Sequence, residues 1–137
     1  MSTFVDAGVF FAAARAGDKA HSDAVRILAS IERGVTTDHV VVESWGLLRR
    51  KVGHNAAMSF WNGLRYAPLF IEFVTAADLE RAEAVSERWS DQRFSIVDCT
   101  SFAVMERIGC SKAASFDSDF AIYRFGPDGK QAFEILR

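Results

Sequence analysis

The chain has 137 residues, half of them hydrophobic and a quarter charged, with a net charge of −2 and a pI of about 5.9. That length suits one well-formed core, so residues 1–137 are expected to form a single domain. The charge balance excludes a generally cationic nucleic-acid binder, so nucleic acid would have to be met by a local basic patch or through bound cations. The N-terminus runs straight into a strand pattern, without the charged, apolar and small-residue order of a signal peptide. No apolar run approaches the roughly 20 residues of a membrane span, so a cytoplasmic protein with no membrane partner is expected.

Thr3-Phe4-Val5 reads as a short buried strand that stops at a carboxylate, Asp6. Ala7-Gly8 hands it over to an apolar, Ala-rich helix reaching Ala16 and broken at Gly17. Asp18 is placed to cap the next helix, whose stripe is Ala20, Ala24, Ile27, Leu28 and Ile31 and which stops at Gly34. Val35-Thr36-Thr37 is a second strand. His39 to Val52 is helical and closed by Gly53, and Asn55 caps a further helix to about Tyr66, before Pro68. Leu69 to Val74 reads as a strand. Thr75, with Asp78 three residues on, forms a capping-box pattern for a helix to about Ser90.

Asp98 is read as the N-cap of a helix to Ile108, stopped at Gly109. Lys112 to Phe116 is a strand ending at Asp117, Phe125-Gly126-Pro127-Asp128-Gly129 is a turn, and Gln131 to Leu136 is a last strand. Strands alternating with helices predict an α/β fold with a mainly parallel central sheet flanked by helices. Cys99 and Cys110 fall in one helical stretch and, at about 1.5 Å of rise per residue, stand roughly 16 Å apart. They cannot bridge, and free buried thiols in a reducing compartment are expected.

Four acids stand out by position. Asp6 and Asp117 end strands, while Glu43 and Asp98 lie in the early part of helices that follow a strand or loop. In a parallel sheet those places converge on one edge, where ligands bind. Asp119, two residues past Asp117, reaches toward the same place. Taken singly, each has an ordinary explanation: a turn or cap for Asp6 and Asp98, a solvated helix face for Glu43, an Asx-turn for Asp117. Together they would repel one another's charges unless a cation neutralised them. An all-oxygen set suits a hard ion, Mg²⁺ or Mn²⁺, rather than zinc. The densest basic run is Arg49-Arg50-Lys51. Arg50 falls on nearly the same helix face as Glu43, in reach of a phosphate beside the acids, although a solvated helix end explains it equally well. Phe10, Phe11, Trp45, Phe60, Trp61 and Leu64 are core residues or a partner-binding face.

Phe4-Val5-Asp6-Ala7-Gly8, Thr36-Thr37-Asp38-His39-Val40-Val41-Val42-Glu43, Phe94-Ser95-Ile96-Val97-Asp98-Cys99-Thr100-Ser101-Phe102 and Ala114-Ser115-Phe116-Asp117-Ser118-Asp119-Phe120 occur in that order. In order and spacing they resemble PIN domains, above all the VapC-type toxins of prokaryotic toxin–antitoxin pairs. The likeness spans nearly the whole chain. It implies a three-layer sandwich and a Mg²⁺- or Mn²⁺-dependent endoribonuclease that cleaves structured RNA, tRNA or ribosomal RNA, by metal-activated water. It also implies a small cognate antitoxin and a homodimer. By the same resemblance Asp6, Glu43, Asp98 and Asp117 are the catalytic acids, with Asp6, Asp98 and Asp117 as metal ligands. Arg49, Arg50, Thr100 and Asp119 are candidate substrate contacts.

One departure is visible: many members carry Thr or Ser after the first acid, where this chain has Ala7. Thr100 or Thr37 is expected to supply the missing hydroxyl. The alternative function is a catalytically inactive PIN-like module that binds RNA or protein. A phosphotransferase of the haloacid dehalogenase type would need an acid at position 8, which is Gly8. The receiver-domain pattern of acids with a late lysine cannot be assembled.

Overall fold

A computed structural model describes residues 1–137. In chain order the elements are β1 (Thr3–Val5), α1 (Ala7–Ala14), α2 (His21–Ser30), β2 (Gly34–Thr37), α3 (Asp38–Lys51) and α4 (His54–Gly63), the last running into a 3₁₀ turn, Leu64–Tyr66. There follow β3 (Leu69–Glu72), α5 (Ala76–Arg88), α6 (Ile96–Ile108), β4 (Lys112–Ala114), α7 (Asp119–Ile122), β5 (Arg124–Phe125), β6 (Gln131–Ala132) and β7 (Glu134–Leu136). The central sheet has five strands in the order β3-β2-β1-β4-β7. All its neighbours pair in parallel, so each connection must cross over the sheet, and helices do so. The α/β architecture expected from the alternation of patterns is the one found.

β1 is the middle strand, and Thr3, Phe4 and Val5 are all buried. A strand covered on both faces needs apolar or small residues throughout, which Phe4-Val5 and Ala113-Ala114 supply. α1 packs against α2, α3 and α4, while α5 pairs with α6. An aromatic cluster anchors α6 and α7 to the C-terminal end of the chain. Phe102 stacks on Tyr123 at 4.3 Å between ring centroids and meets Phe120 edge-on at 5.0 Å. Phe133 joins the same cluster. Close approach favours glycine at position 34: a β-carbon there would lie 2.8 Å from Leu69 Cδ1, which would have to shift, and a tight 3.2 Å from the Pro68 carbonyl oxygen.

Several boundaries differ from expectation, each for a local reason. Asp18 does not cap α2; its carboxylate accepts from the Ala20 amide, turning the chain one step before the helix begins. Gly53, with φ of 145°, precedes α4, which places Asn55 inside its first turn. α6 begins before Asp98: Ser95 is its N-cap and Asp98 is the third helical residue, the two forming a reciprocal capping box. The left-handed Gly109 (φ 70°) closes this helix, so Cys110 lies beyond it and not within it, although both thiols are free and buried. The expected last strand is divided. Gln131–Ala132 pairs antiparallel with β5, and only Glu134–Leu136 enters the main sheet, because Phe133 turns into the aromatic cluster between them.

Candidate metal centre

The sheet order turns at one place. From β1 the chain proceeds to β2 and β3 on one side, then returns to place β4 and β7 on the other. Connections therefore leave β1 and β4 in opposite directions and open a crevice at their carboxyl ends, the position where open α/β sheets bind ligands. Asp6 follows β1 directly. Ser115 follows β4 directly, opposite it, since Val5 is in register with Ala114.

Asp6 is held from three sides. Its amide donates to the Ala114 carbonyl at 3.0 Å, Oδ1 accepts from the Ala7 amide at 2.8 Å as the N-cap of α1, and Oδ2 accepts from the Ser115 hydroxyl at 2.9 Å. Asp98 projects from the first turn of α6, its Oδ2 accepting from the Ser95 amide at 3.2 Å. Asp117 lies on the loop after β4; its amide donates to Ser115 Oγ at 3.1 Å and its Oδ1 accepts from the Asp119 amide at 2.9 Å. Asp119 opens α7. Carboxylate oxygens of Asp98, Asp117 and Asp119 all lie within 4.8 Å of one another. Asp6 and Glu43 flank this trio closely enough for their charges to be felt across it.

The electrostatics follow from burial and like charge. Burial pushes the Asp6 carboxyl up to about 6; the bonds from Ser115 and Ala7 oppose it, and the charges of Asp117 and Glu43 add to it. Asp98 is pushed up to about 8, first by burial, then by its approach to the Asp119 carboxyl and by the charges of Asp6 and Asp117. Asp119 is raised as well, mainly by burial. Glu43, in the second turn of α3, is raised by burial and by Asp117 and lowered by Arg50. No lysine or arginine forms an ion pair with Asp6, Asp98, Asp117 or Asp119. Three oxygens converging without a side-chain counter-charge fit a hard divalent cation.

The sequence-derived candidates are thus brought together unequally. Asp6, Glu43, Asp98 and Asp117 converge on the crevice. Asp119, read from sequence both as reaching the acids and as a substrate contact, stands in the acid cluster, where its charge repels a phosphate unless a cation intervenes. Arg50 folds back along α3, its Nη1 lying 3.4 Å from the site of a β-carbon on Gly46, and so carries its charge toward Glu43. Arg49 is exposed in the last turn of the same helix. Thr100 is not a substrate contact: it is fully buried, and its hydroxyl donates to the Val97 carbonyl at 2.8 Å.

Nor does Thr100 or Thr37 replace the hydroxyl absent at Ala7. Thr37 Oγ1 caps α3 by accepting from the Val40 amide. The hydroxyl comes from Ser115, across the crevice. Only strand register reveals it, because the two residues are 109 apart in sequence.

Comparison with known proteins agrees with this geometry. The family model described as "PIN domain" matches residues 3–126. The 23S rRNA-specific endonuclease VapC20 of Mycobacterium tuberculosis is 39% identical over 123 residues, covering 89% of this chain and 94% of the relative. The crystal structure of that species' VapC20, described as a sarcin-ricin loop cleaving toxin, superposes with a TM-score of 0.80 at 39% identity, covering 85% of this chain and 91% of the other. A toxin–antitoxin complex from Klebsiella pneumoniae gives a TM-score of 0.66 over 97% of this chain and 99% of the other at 12% identity, a likeness of fold alone. The chain therefore belongs to the PIN-domain family, whose nucleases use divalent metals. Within that family it is a toxin ribonuclease of the VapC type.

Proposed function

We propose that the crevice acids are the catalytic centre of this ribonuclease and that its substrate is a structured RNA, large-subunit ribosomal RNA before tRNA. The observation that carries the proposal is the convergence of Asp6, Asp98, Asp117 and Asp119 at the topological switch point with no internal counter-charge. The identity of the relatives supports the choice of RNA. Asp98, Asp117 and Asp119, with Asp6 beside them, would hold Mg²⁺ or Mn²⁺. A cation so bound supplies charge neutralisation at the phosphate and a lowered pKa for water.

The chain's own groups do the remainder. Asp6 is fixed by two donors and keeps its carboxylate directed into the crevice. Glu43, half-buried on the rim with its pKa raised, takes a proton from water at its carboxylate. Arg50, already oriented toward Glu43, meets a phosphate of the incoming strand. The inactive-module alternative is not favoured, since every acid the chemistry needs is present and the similar VapC20 is named an endonuclease. Purified protein incubated with ribosomes and total RNA should produce discrete new 5′ ends in large-subunit RNA with Mg²⁺ or Mn²⁺ and none with EDTA. Ends confined to tRNA would move the substrate, and no metal-dependent ends in either would refute the reading.

The antitoxin is proposed to seat in the apolar groove of about 570 Å³ between α1, α2 and α4, lined by Phe10, Leu28, Phe60, Leu64 and Leu69. Val5 also lines it, one residue from Asp6, so a segment lying there can continue to the acids. A homodimer, in the cytoplasm, is proposed through the second apolar surface on α3 and α4, where Val42 and Trp61 are 63% and 42% exposed beside Trp45 and Met58. Sedimentation velocity reads both ideas. The toxin alone should run at twice its chain mass, and Ser59→Arg, which fills the groove from an exposed position, should abolish antitoxin capture while leaving RNA cleavage intact. A monomer at micromolar concentration would remove the homodimer, and undiminished capture would remove the groove as the antitoxin's seat.

A further inference from the structure

We propose that Arg124 is a phosphate-binding residue of the substrate site: one nitrogen of its guanidinium clamps the end of α7, and the fork formed by Nε and Nη2 receives a phosphate of the RNA strand that reaches the acid cluster. This rests on the crevice being the catalytic centre, as proposed above, and adds how the strand is held beside it.

An acidic crevice needs cations at its rim if a polyanion is to enter it. Several of the chain's cations are committed or remote. Arg26, Arg81 and Arg107 are in ion pairs. Arg33 and Lys112 stand at the amino ends of β2 and β4, the far edge of the sheet. Arg124 is neither. It follows α7, the single turn that Asp119 opens, and it forms no ion pair. α7 has four residues, so its two ends are only about 6 Å apart.

Three bonds fix the guanidinium. Nη1 donates to the Ala121 carbonyl at 2.6 Å and to those of Ile122 and Tyr123 at 3.1 Å each. These are carbonyls that a helix end leaves without intrahelical partners, and the helix dipole favours a cation there. The backbone of the residue is fixed as well, since Arg124 pairs with Ala132 across the β5–β6 hairpin. α7 itself is pinned by Phe120, fully buried against Phe4 and Phe102. A ligand arriving here therefore finds the group already ordered, which lowers the entropy cost of binding it.

The same bonds keep Arg124 off the acids. An unrestrained arginine five residues from Asp119 could fold onto the cluster and neutralise the charge that draws a metal. Held at the carbonyls, it keeps its own charge beside the crevice while the acids stay open to a cation. The two hydrogens of Nη1 are spread over three acceptors, whereas Nε and Nη2 have no protein acceptor. Arg124 is half-buried, so that edge can be reached from solvent. Nε and Nη2 carry parallel N–H bonds in one plane, the geometry that matches two oxygens of a phosphate. Arg50 comes on the helix after β2 and Arg124 on the turn after β4, so the two flank β1, the strand that leads into Asp6. An RNA strand crossing the acids meets a cation on each side.

The test reads binding of a fluorescein-labelled single-stranded RNA of mixed sequence by anisotropy across a KCl series, in the full chain carrying Asp98→Asn so that the probe is not consumed. Adding Arg124→Ala should weaken binding by about tenfold and make the slope of log affinity against log salt shallower by about 0.7, as loss of one phosphate contact requires. Arg124→Lys can still bond the carbonyls but has no second edge for the phosphate, and should bind more nearly as Arg124→Ala does. In the chain with Asp98 intact, Arg124→Ala should leave Mn²⁺ affinity, read by electron paramagnetic resonance titration, nearly unchanged, because Phe120 still holds α7. An unchanged affinity and salt slope in Arg124→Ala, or wild-type binding by Arg124→Lys, would overturn the proposal. So would a loss of Mn²⁺ affinity in Arg124→Ala, which would make Arg124 a structural clamp for the helix of Asp119. No metal-dependent RNA cleavage by the unmodified protein, or Mn²⁺ affinity unaffected by Asp98→Asn, would instead remove the catalytic centre itself, whatever Arg124 does.

Discussion

Asp98→Asn is expected to lower the rate of RNA cleavage by about 10³-fold, equivalent to roughly 4 kcal/mol of transition-state stabilisation, while making the metal-free protein more stable at neutral pH. The two effects have one cause. Asp98 sits where burial, the Asp119 carboxyl and the charges of Asp6 and Asp117 all disfavour a negative charge, and its pKa is pushed up to about 8. Asp6 is pushed up to about 6 by burial above all. Both folded-state values lie above the ordinary value of 3.8. The fold therefore favours the protonated carboxyls. That stability is fully present below about pH 4 and is lost as pH rises through 6 and then 8.

For Asp6 alone the loss is on the order of 2–3 kcal/mol once its carboxylate is charged. The asparagine amide resembles the protonated acid, and its oxygen still accepts from the Ser95 amide, so the helix start is kept. Metal-free Asp98→Asn should thus melt several degrees above the wild type at pH 8 and nearly with it at pH 4.5. Adding Mg²⁺ or Mn²⁺ should reverse the order at pH 8 by stabilising only the wild type. Thermal melts at the two pH values, with and without metal, check this. Equal melting at pH 8 without metal would mean that the cluster is not the strained group of charges described here.

What could be seen in the sequence divides along the range of the interactions. The strand ending at Asp6, the capping box at Thr75 and Asp78, and the breaks at Gly53 and Gly109 are encoded within a few residues, and each is where the pattern placed it. The same local signature, Ser95 followed three residues later by Asp98, was open to view, but taking Asp98 itself as the cap hid it and shortened α6 by two residues. Elements too short to show a period escaped. α7 is one turn and β5 is two residues, while β6, also two residues, is covered only as part of the single strand expected over Gln131 to Leu136.

The acids were legible because their type and their places at strand ends are local facts. Their convergence on one sheet edge followed from those places; which of them stand closest together did not. That Asp98, Asp117 and Asp119 form the tight trio while Asp6 stands beside it depends on how α6 and α7 pack over the sheet through Phe102 and Phe120. Ser115 is the clearest case. Nothing in Ala114-Ser115-Phe116-Asp117 distinguishes a hydroxyl bonded to Asp6 across the crevice from an ordinary strand-end serine until β4 is in register with β1.

Arg107→Met should destabilise the protein by about 2–3 kcal/mol at pH 7, the largest loss expected from any single change outside the core, without altering the crevice acids. Arg107, near the end of α6, donates through Nε and Nη2 to both oxygens of Asp78, through Nη1 to Glu72 at 2.8 Å, and through Nη2 to the Phe73 carbonyl. One planar guanidinium thus joins the end of β3, the start of α5 and the end of α6. Asp78 is buried, with 4% of its side chain exposed, so the carboxylate depends on this partner as well as on the Thr75 amide.

Burial alone would push Asp78 up; the bonds from Arg107 and Thr75 outweigh it and hold the carboxyl below its usual range. A depressed carboxyl contributes stability that is present above about pH 4 and is lost as pH falls through its folded value. Methionine fills the volume of the arginine stem but leaves a buried charge unpaired. The deficit of Arg107→Met should therefore be full at pH 7 and shrink below pH 4, where the unpaired carboxyl protonates. Arg107→Lys keeps the charge but loses the two-oxygen fork, and should fall between the two. Urea unfolding at pH 7 and pH 3.5 measures all three proteins. A deficit that stays constant between the two pH values would show that lost packing, rather than the uncompensated Asp78 carboxylate, sets the cost.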